Sequence, residues 1–188
     1  MIERLAIEQA LDAETLEQIR HDMQAAQGEP APVLGPTPER EVMSTARKAA
    51  RIAVGDAARA AVVDVLARLE ARIEAHFGRS LDGFEEPQFL RYGPGDYFVA
   101  HQDGNTPLIH DESRFRKISV VIFLSEQSEH PTPETFCGGS LVLHAQPDPP
   151  ITLAPAPGTL VAFPAETTHE VLPITHGERL SIVSWYRS

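Results

Sequence analysis

The last hundred or so residues are cut into eight short apolar runs: PQFLRY, DYFVAH, KISVVIFLS, GSLVLH, ITLAP, GTLVAFP, THEVLP and RLSIVSWYR. They are rich in Val, Ile, Phe and Tyr, with Gly, Pro, Asp or Asn between most of them, which is the pattern of strands joined by turns. Strands this short are stable only when a sheet closes on itself or packs face to face on a second one. From about residue 86 onward the chain is therefore expected to form a barrel or a double-sheet jelly roll.

Before that point roughly the first 80 residues read as helical. LDAETLEQIRHDM puts Leu16, Ile19 and Met23 on one face, with Asp12 as the N-cap. DAARAAVVDVLARLEARIEAHFG carries Val62, Leu66, Leu69, Ile73 and Phe77 as a single apolar stripe. Asp56 can cap its start, and Gly78 stands where a C-terminal cap belongs. Between the two helices, Pro30, Pro32, Pro36 and Pro38 argue against regular structure over about residues 28 to 40. That loop, and EQSEHPTPETF further on, are candidates to cover a site. The proline-rich stretch is too short to link domains. The expected organisation is one α+β domain over residues 1–188, with 1–85 as mainly helical support and 86–188 as the β-rich core.

Composition removes several functional classes. A formal net charge of −11 over 188 residues argues against a broad nucleic-acid surface, which needs clustered Lys and Arg. Cys137 is the sole cysteine, so neither an intrachain disulfide nor a Cys-rich zinc site can form. The apolar stretches are strand-sized, too short to span a membrane. The acidic, amphipathic start MIERLAIEQALDAETLE does not read as a secretory signal, and a cytoplasmic setting is the expectation.

In RYGPGDYFVAHQDGNT an aromatic strand ends in His101 and Asp103. Positions i and i+2 of a strand face the same way, so an imidazole and a carboxylate converge on one point. This is two-thirds of a metal site. Taken alone the pair is a weak signal, because His110-x-Glu112 and His176-x-Glu178 have the same chemistry. The context comes from TTHEVLPITHGERLSIVSWY. His169 at a strand start would complete two histidines and one carboxylate, a face that leaves metal positions open, as in non-haem Fe(II) oxygenases. Arg179 follows ten residues later, a separation that an antiparallel hairpin can return to the same cavity. Its planar guanidinium suits a carboxylate, and Ser181 alternates onto the same side. The plainer readings are a surface His–Asp pair, a structural His169, and an Arg179 paired with Glu170.

With these residues in place the C-terminal hundred residues resemble the Fe(II)/2-oxoglutarate-dependent dioxygenases, and within them the prolyl 4-hydroxylase-like branch. The pattern Tyr-x-x-Gly-x-x-Phe-x-x-His-x-Asp is matched by Tyr92, Gly95, Phe98, His101 and Asp103. RKISVVIFLS, GGSLVLH and a His-x-Val-x-Pro segment then follow in the family's order. The resemblance implies a double-stranded β-helix (jelly-roll) core with N-terminal helices packed on one sheet. It implies that His101, Asp103 and His169 hold Fe(II) and that Arg179 binds the distal carboxylate of 2-oxoglutarate. Tyr92, Ser119 and Ser181 would help bind the cosubstrate, Ser119 from a place where the branch often has threonine and Ser181 from beside Arg179. Phe123 departs from the tyrosine that some prolyl hydroxylases carry. The implied reaction uses O2 to hydroxylate a C–H bond, releases succinate and CO2, and takes ascorbate as a candidate reductant. The substrate would be a small molecule or a peptide, such as a peptidyl or free amino acid. The competing functions are a non-catalytic metal-binding jelly-roll sensor and a cupin-like Zn/Mn enzyme.

Overall fold

The structure is a computed structural model that describes residues 2–34, 40–41, 46–104 and 112–188. Helix α1 (Ala13–Ala25) opens on Asp12, whose carboxylate accepts a hydrogen bond from the Thr15 amide at 2.8 Å. Ile19 and Met23 are its buried residues. Helix α2 (Asp56–Phe77) is capped by Gly55, not by Asp56. Asp56 is instead the first helical residue, where its charge faces the positive end of the helix dipole. Gly78 closes α2 at φ 59, a left-handed conformation that glycine adopts without a Cβ penalty.

The N-terminal part is less helical than its sequence suggests. It also contains strands β1 (Leu5–Ile7), β2 (Gly28–Pro30), β3 (Val33–Leu34), β4 (Arg40–Glu41), β5 (Arg47–Lys48) and β6 (Ala50–Ile52). Each is two or three residues long, too short to carry an alternating signal. Regular structure therefore does enter the proline-rich stretch. β2 tolerates Pro30 because it is the edge of its sheet, where a missing N–H leaves no ladder bond unmade. Residues 35–39, with Pro36 and Pro38, lie outside the described residues.

All eight C-terminal runs are strands: β7 (Gln88–Tyr92), β8 (Tyr97–His101) and β9 (Arg116–Phe123), then β12 (Leu141–Ala145), β13 (Asp148–Leu153), β14 (Leu160–Pro164), β15 (Thr168–Val171) and β17 (Arg179–Arg187). Three more short ones, β10 (Glu126–Gln127), β11 (Thr135–Gly138) and β16 (Ile174–His176), form a small sheet of their own. Cys137 is buried next to the end of β11.

Two antiparallel sheets face each other as a jelly roll. The larger runs β1-β14-β9-β17-β7-β6-β2 and the smaller β13-β12-β15-β8-β5. Alternation along the central strands divides their side chains between two cores. On β17, Leu180, Ile182 and Tyr186 turn outward to Val62, Leu66 and Ile73 of α2. Arg179, Ser181, Val183 and Trp185 turn inward. The Tyr186 hydroxyl donates to the Leu66 carbonyl at 2.6 Å and ties the helix to the sheet. Between the sheets Leu90, Phe123, Phe136, Leu143, Phe163 and Val171 form the second core. No helix among the described residues is long and apolar enough to cross a membrane.

Candidate metal centre

His101 ends β8 and His169 lies directly opposite it on β15, so one antiparallel ladder brings both imidazoles to the same level. Their ring centroids are 4.2 Å apart. Each ring is fixed from behind by its Nδ1 at a carbonyl two residues earlier. His101 uses Val99 at 2.8 Å and His169 uses Thr167 at 2.9 Å. Those bonds place the proton on Nδ1 and leave the Nε2 lone pair free to ligate, as in the outer-shell partners of metal-ligating histidines. Both Nε2 atoms face Asp103, His101 at 3.4 Å from Oδ1 and His169 at 3.4 Å from Oδ2. The ligand atoms of the three residues lie within 4.8 Å of one another, close enough to share one ion.

Asp103 is held by its surroundings. Its amide and that of Gly104 both donate to the Ala165 carbonyl, at 3.0 and 3.2 Å. Residue 104 must be glycine because a Cβ there would run into the Ser113 carbonyl oxygen. Burial alone would raise the Asp103 carboxyl. The two histidines and the Ser119 hydroxyl outweigh it and hold the group well below the usual carboxylate range. Burial also lowers His169, against the pull of Asp103, so its neutral, ligating form prevails at pH 7. Phe98 stacks on His101 with centroids 3.6 Å apart, and Phe163 meets His169 edge-on at 4.9 Å.

The triad opens onto a cavity of about 240 Å³. Arg179 lies across it, 2% exposed, with no acidic partner among the described residues. The hairpin expected between His169 and Arg179 does not form. His169 belongs to the smaller sheet and Arg179 to the larger, with β16 between them in sequence, so the two face each other across the jelly roll. Glu170 is not a partner for Arg179 either, because it bonds His144 at 2.8 Å. Arg179 Nη1 donates to Ser181 Oγ at 3.1 Å, and its guanidinium lies over the rings of Tyr92 (5.3 Å) and Phe123 (5.4 Å). Its Nε has no partner among the described residues. Gly139, at φ 62, lets the backbone pass close to the Arg179 side chain.

Tyr92 and Ser181 line the cavity, and Tyr92 is the cross-strand neighbour of Arg179. Ser119 sits elsewhere: its hydroxyl donates to Asp103 Oδ2 at 2.6 Å, behind the carboxylate. The rival pairs are spent in other contacts. His176 bonds the Thr132 carbonyl, Glu178 pairs with Arg91, and Glu112 pairs with Arg187. His110 lies outside the described residues. No residue of 126–136 is among those lining the cavity.

Three cavity residues escape a reading of the sequence. Arg47 stands on β5, opposite Phe98 of β8. Arg116 chelates Glu85 through two contacts of 2.7 Å and donates to the Asp103 carbonyl at 3.2 Å. Trp185 stacks under Arg116 at 3.7 Å and lines the cavity. Alternation from Arg179 through Ser181 and Val183 was the available signal for Trp185. Arg47 and Arg116 owe their places to pairings distant in sequence, which no local pattern encodes.

The jelly roll gathers two imidazoles and a carboxylate that could hold one metal ion, opposite a buried guanidinium with no acidic partner among the described residues. Residues 87–187 match the family model described as the 2OG-Fe(II) oxygenase superfamily. A PKHD-type hydroxylase of Klebsiella pneumoniae (strain 342) is 33% identical over 130 residues, 69% of this chain and 53% of that protein. The chain spans about half the length of the curated relatives it matches, 43% and 53% for two of them. Among solved structures, a Pseudomonas putida prolyl-4-hydroxylase superposes with TM-score 0.70 at 23% identity, covering 100% of this chain and 93% of that one. A Trichoplax adhaerens prolyl hydroxylase, in complex with a hypoxia inducible factor oxygen degradation domain peptide fragment, gives TM-score 0.77 at 17% identity, covering 98% and 83%. The chain belongs to the 2OG-Fe(II) oxygenase superfamily.

Proposed function

We propose that this chain is an Fe(II)- and 2-oxoglutarate-dependent dioxygenase that hydroxylates a C–H bond, with prolyl 4-hydroxylase-like action on a peptidyl or free amino acid. One observation carries the reading. Three ligand atoms lie within 4.8 Å of one another and open onto the same cavity as a buried arginine without an acidic partner. The donor set fits a ferrous ion, since two neutral imidazoles and one carboxylate leave half of an octahedron for other ligands. Arg179 fits a diacid, because its cost of burial is repaid only when an anion arrives.

In this reading His101, Asp103 and His169 hold the metal, and Arg179 grips the distal carboxylate of 2-oxoglutarate. When bound there, Fe(II) supplies the oxygen chemistry by which 2-oxoglutarate, O2 and R–H become succinate, CO2 and R–OH. The protein supplies fixed geometry. Val99 and Thr167 orient the imidazoles, Ser119 and the Ala165 carbonyl fix Asp103, and Ser181 and Tyr92 aim the guanidinium. Leu90, Val121 and Val171 give the cavity an apolar wall. A peptide substrate is supported by the peptide-bound prolyl hydroxylase among the structural neighbours. The helices bury against the larger sheet, which supports residues 1–188 working as a single unit.

The test is succinate formation from 2-oxoglutarate with Fe(II) or Zn(II), on the wild type and Asp103→Asn. Iron-dependent succinate that disappears in the variant is expected. Turnover with zinc alone would favour a cupin-like enzyme, and no turnover with iron across a panel of amino acids and proline peptides would favour a sensor.

A further inference from the structure

The cavity holds a second cation that the proposed chemistry leaves unused. Arg47 is 7% exposed and lines the same cavity as the metal triad and Arg179. Its guanidinium lies 4.8 Å above the Phe98 ring, and Phe98 is itself stacked on His101. Arg47 is thus held one aromatic ring away from a metal ligand. Its Nη1 donates to the Pro32 carbonyl at 3.2 Å, whereas its Nε has no partner. No acid among the described residues pairs with it.

Two features point to what it awaits. Four buried side-chain nitrogen or oxygen atoms lack a partner among the described residues, and three belong to cavity residues: Nε of Arg47, Nε of Arg179 and Nε1 of Trp185. All three are N–H donors, so the missing contents are acceptors. Charge sharpens this. A ferrous ion brings two positive charges, and 2-oxoglutarate brings two negative ones. Asp103 and Arg179 cancel each other, and Arg116 is cancelled by Glu85. Arg47 is the charge left over. A buried, uncompensated cation is costly unless an anion joins it.

We propose that Arg47 receives a carboxylate of the substrate, so that the molecule hydroxylated is an acidic one: a free amino acid, or a peptide with a carboxylate close to the reacting carbon. The inference rests on the oxygenase reading and names its substrate class. Phe98 lies under the guanidinium and the Pro32 carbonyl occupies Nη1, which leaves the Nε–H without an acceptor among the described residues; a carboxylate would supply one as a charge-assisted hydrogen bond. Trp185 Nε1–H, from the opposite sheet, is a second donor without an acceptor among the described residues.

The test needs no knowledge of the true substrate. Protein loaded with Mn(II) and saturating 2-oxoglutarate is titrated by calorimetry with acetate and N-acetylglycine, and with their neutral partners acetamide and N-acetylglycinamide. The expected result is a preference of about tenfold or more for each carboxylate over its amide. Arg47→Gln removes that preference and Arg47→Lys keeps part of it. Equal binding of acids and amides, or no binding of either, overturns the proposal. So does a preference that survives Arg47→Gln, since the anion then sits on the metal or on Arg179. Arg47→Gln weakening 2-oxoglutarate as much as Arg179→Gln does overturns it too, because Arg47 would then serve the cosubstrate. Failure of the manganese protein to take up 2-oxoglutarate overturns both this proposal and the oxygenase reading, whereas uptake without carboxylate preference overturns this one alone.

Discussion

His101 and His169 are cross-strand neighbours, and each turns its Nε2 to a different oxygen of the same carboxylate, at 3.4 Å. The ladder that pairs β8 with β15 therefore sets the spacing of the metal site. Asp103, just beyond the end of β8, is placed by loop contacts, and Ser119 is its side-chain anchor. Removing that hydroxyl frees the carboxylate to rotate. Ser119→Ala is expected to weaken Mn(II) or Fe(II) binding about 10- to 100-fold, the usual cost of losing an outer-shell partner. Ser119→Thr should restore most of it. Calorimetric metal titration checks both.

Arg179 does its proposed task as a planar fork held against Tyr92 and Ser181. A lysine keeps the charge and loses the fork. Arg179→Lys should weaken 2-oxoglutarate binding to the manganese protein by about 2 kcal/mol, and Arg179→Gln by more, with metal affinity unchanged in both. Titrating 2-oxoglutarate while following Trp185 fluorescence reads this out directly, since Trp185 is the sole tryptophan and lines the cavity.

Acid should loosen the metal-free protein early. Burial lowers the folded-state value of His169 below the ordinary histidine value of about 6.5. Between those two values the unfolded chain binds more protons than the folded one, so stability rises with pH across that window. The His169 contribution is complete above about pH 6.5 and is lost as pH falls below it. Asp103 acts lower down. Its depressed carboxyl gives stability that is present above about pH 3.9 and lost as pH falls through the folded-state value. The melting temperature of the apo-protein should therefore fall between about pH 7 and about pH 5, and the fall should be shallower in His169→Ala.

The helix–sheet joint is independent of the site. Tyr186→Phe deletes the bond to the Leu66 carbonyl and leaves the ring packed against Phe84. A loss of about 1 kcal/mol is expected, roughly 2–4 °C in melting temperature for a chain of this size. Metal affinity should not change. A variant that also lost metal would mean that α2 helps shape the site.

The eight strands were legible because runs rich in Val, Ile, Phe and Tyr stand between turn residues. His101 and Asp103 were legible as a pair from their spacing, although β8 ends at His101 and loop contacts, not strand geometry, place Asp103; His169 came from the segment that follows in the family's order. What stayed hidden depends on partners distant in sequence. Arg47 sits in an alanine-rich stretch, and nothing local says that it will pair with Phe98. Arg116 finds Glu85 across 31 residues. The separation of Arg179 from His169 suggested a hairpin, whereas β16 carries the chain from one sheet to the other. Ser119 was expected at the cosubstrate, yet it turns to Asp103, because alternation fixes the face of a strand and not the contact made there.

The most direct test of the account is the visible spectrum of the anaerobic Fe(II) protein as 2-oxoglutarate is added. A metal-to-ligand charge-transfer band should grow in the wild type and fail to form in His169→Ala. A wild-type protein that binds Fe(II) and 2-oxoglutarate without the band, or a His169→Ala protein that shows it at full strength, would contradict the claim that these three side chains present one ion to the cosubstrate.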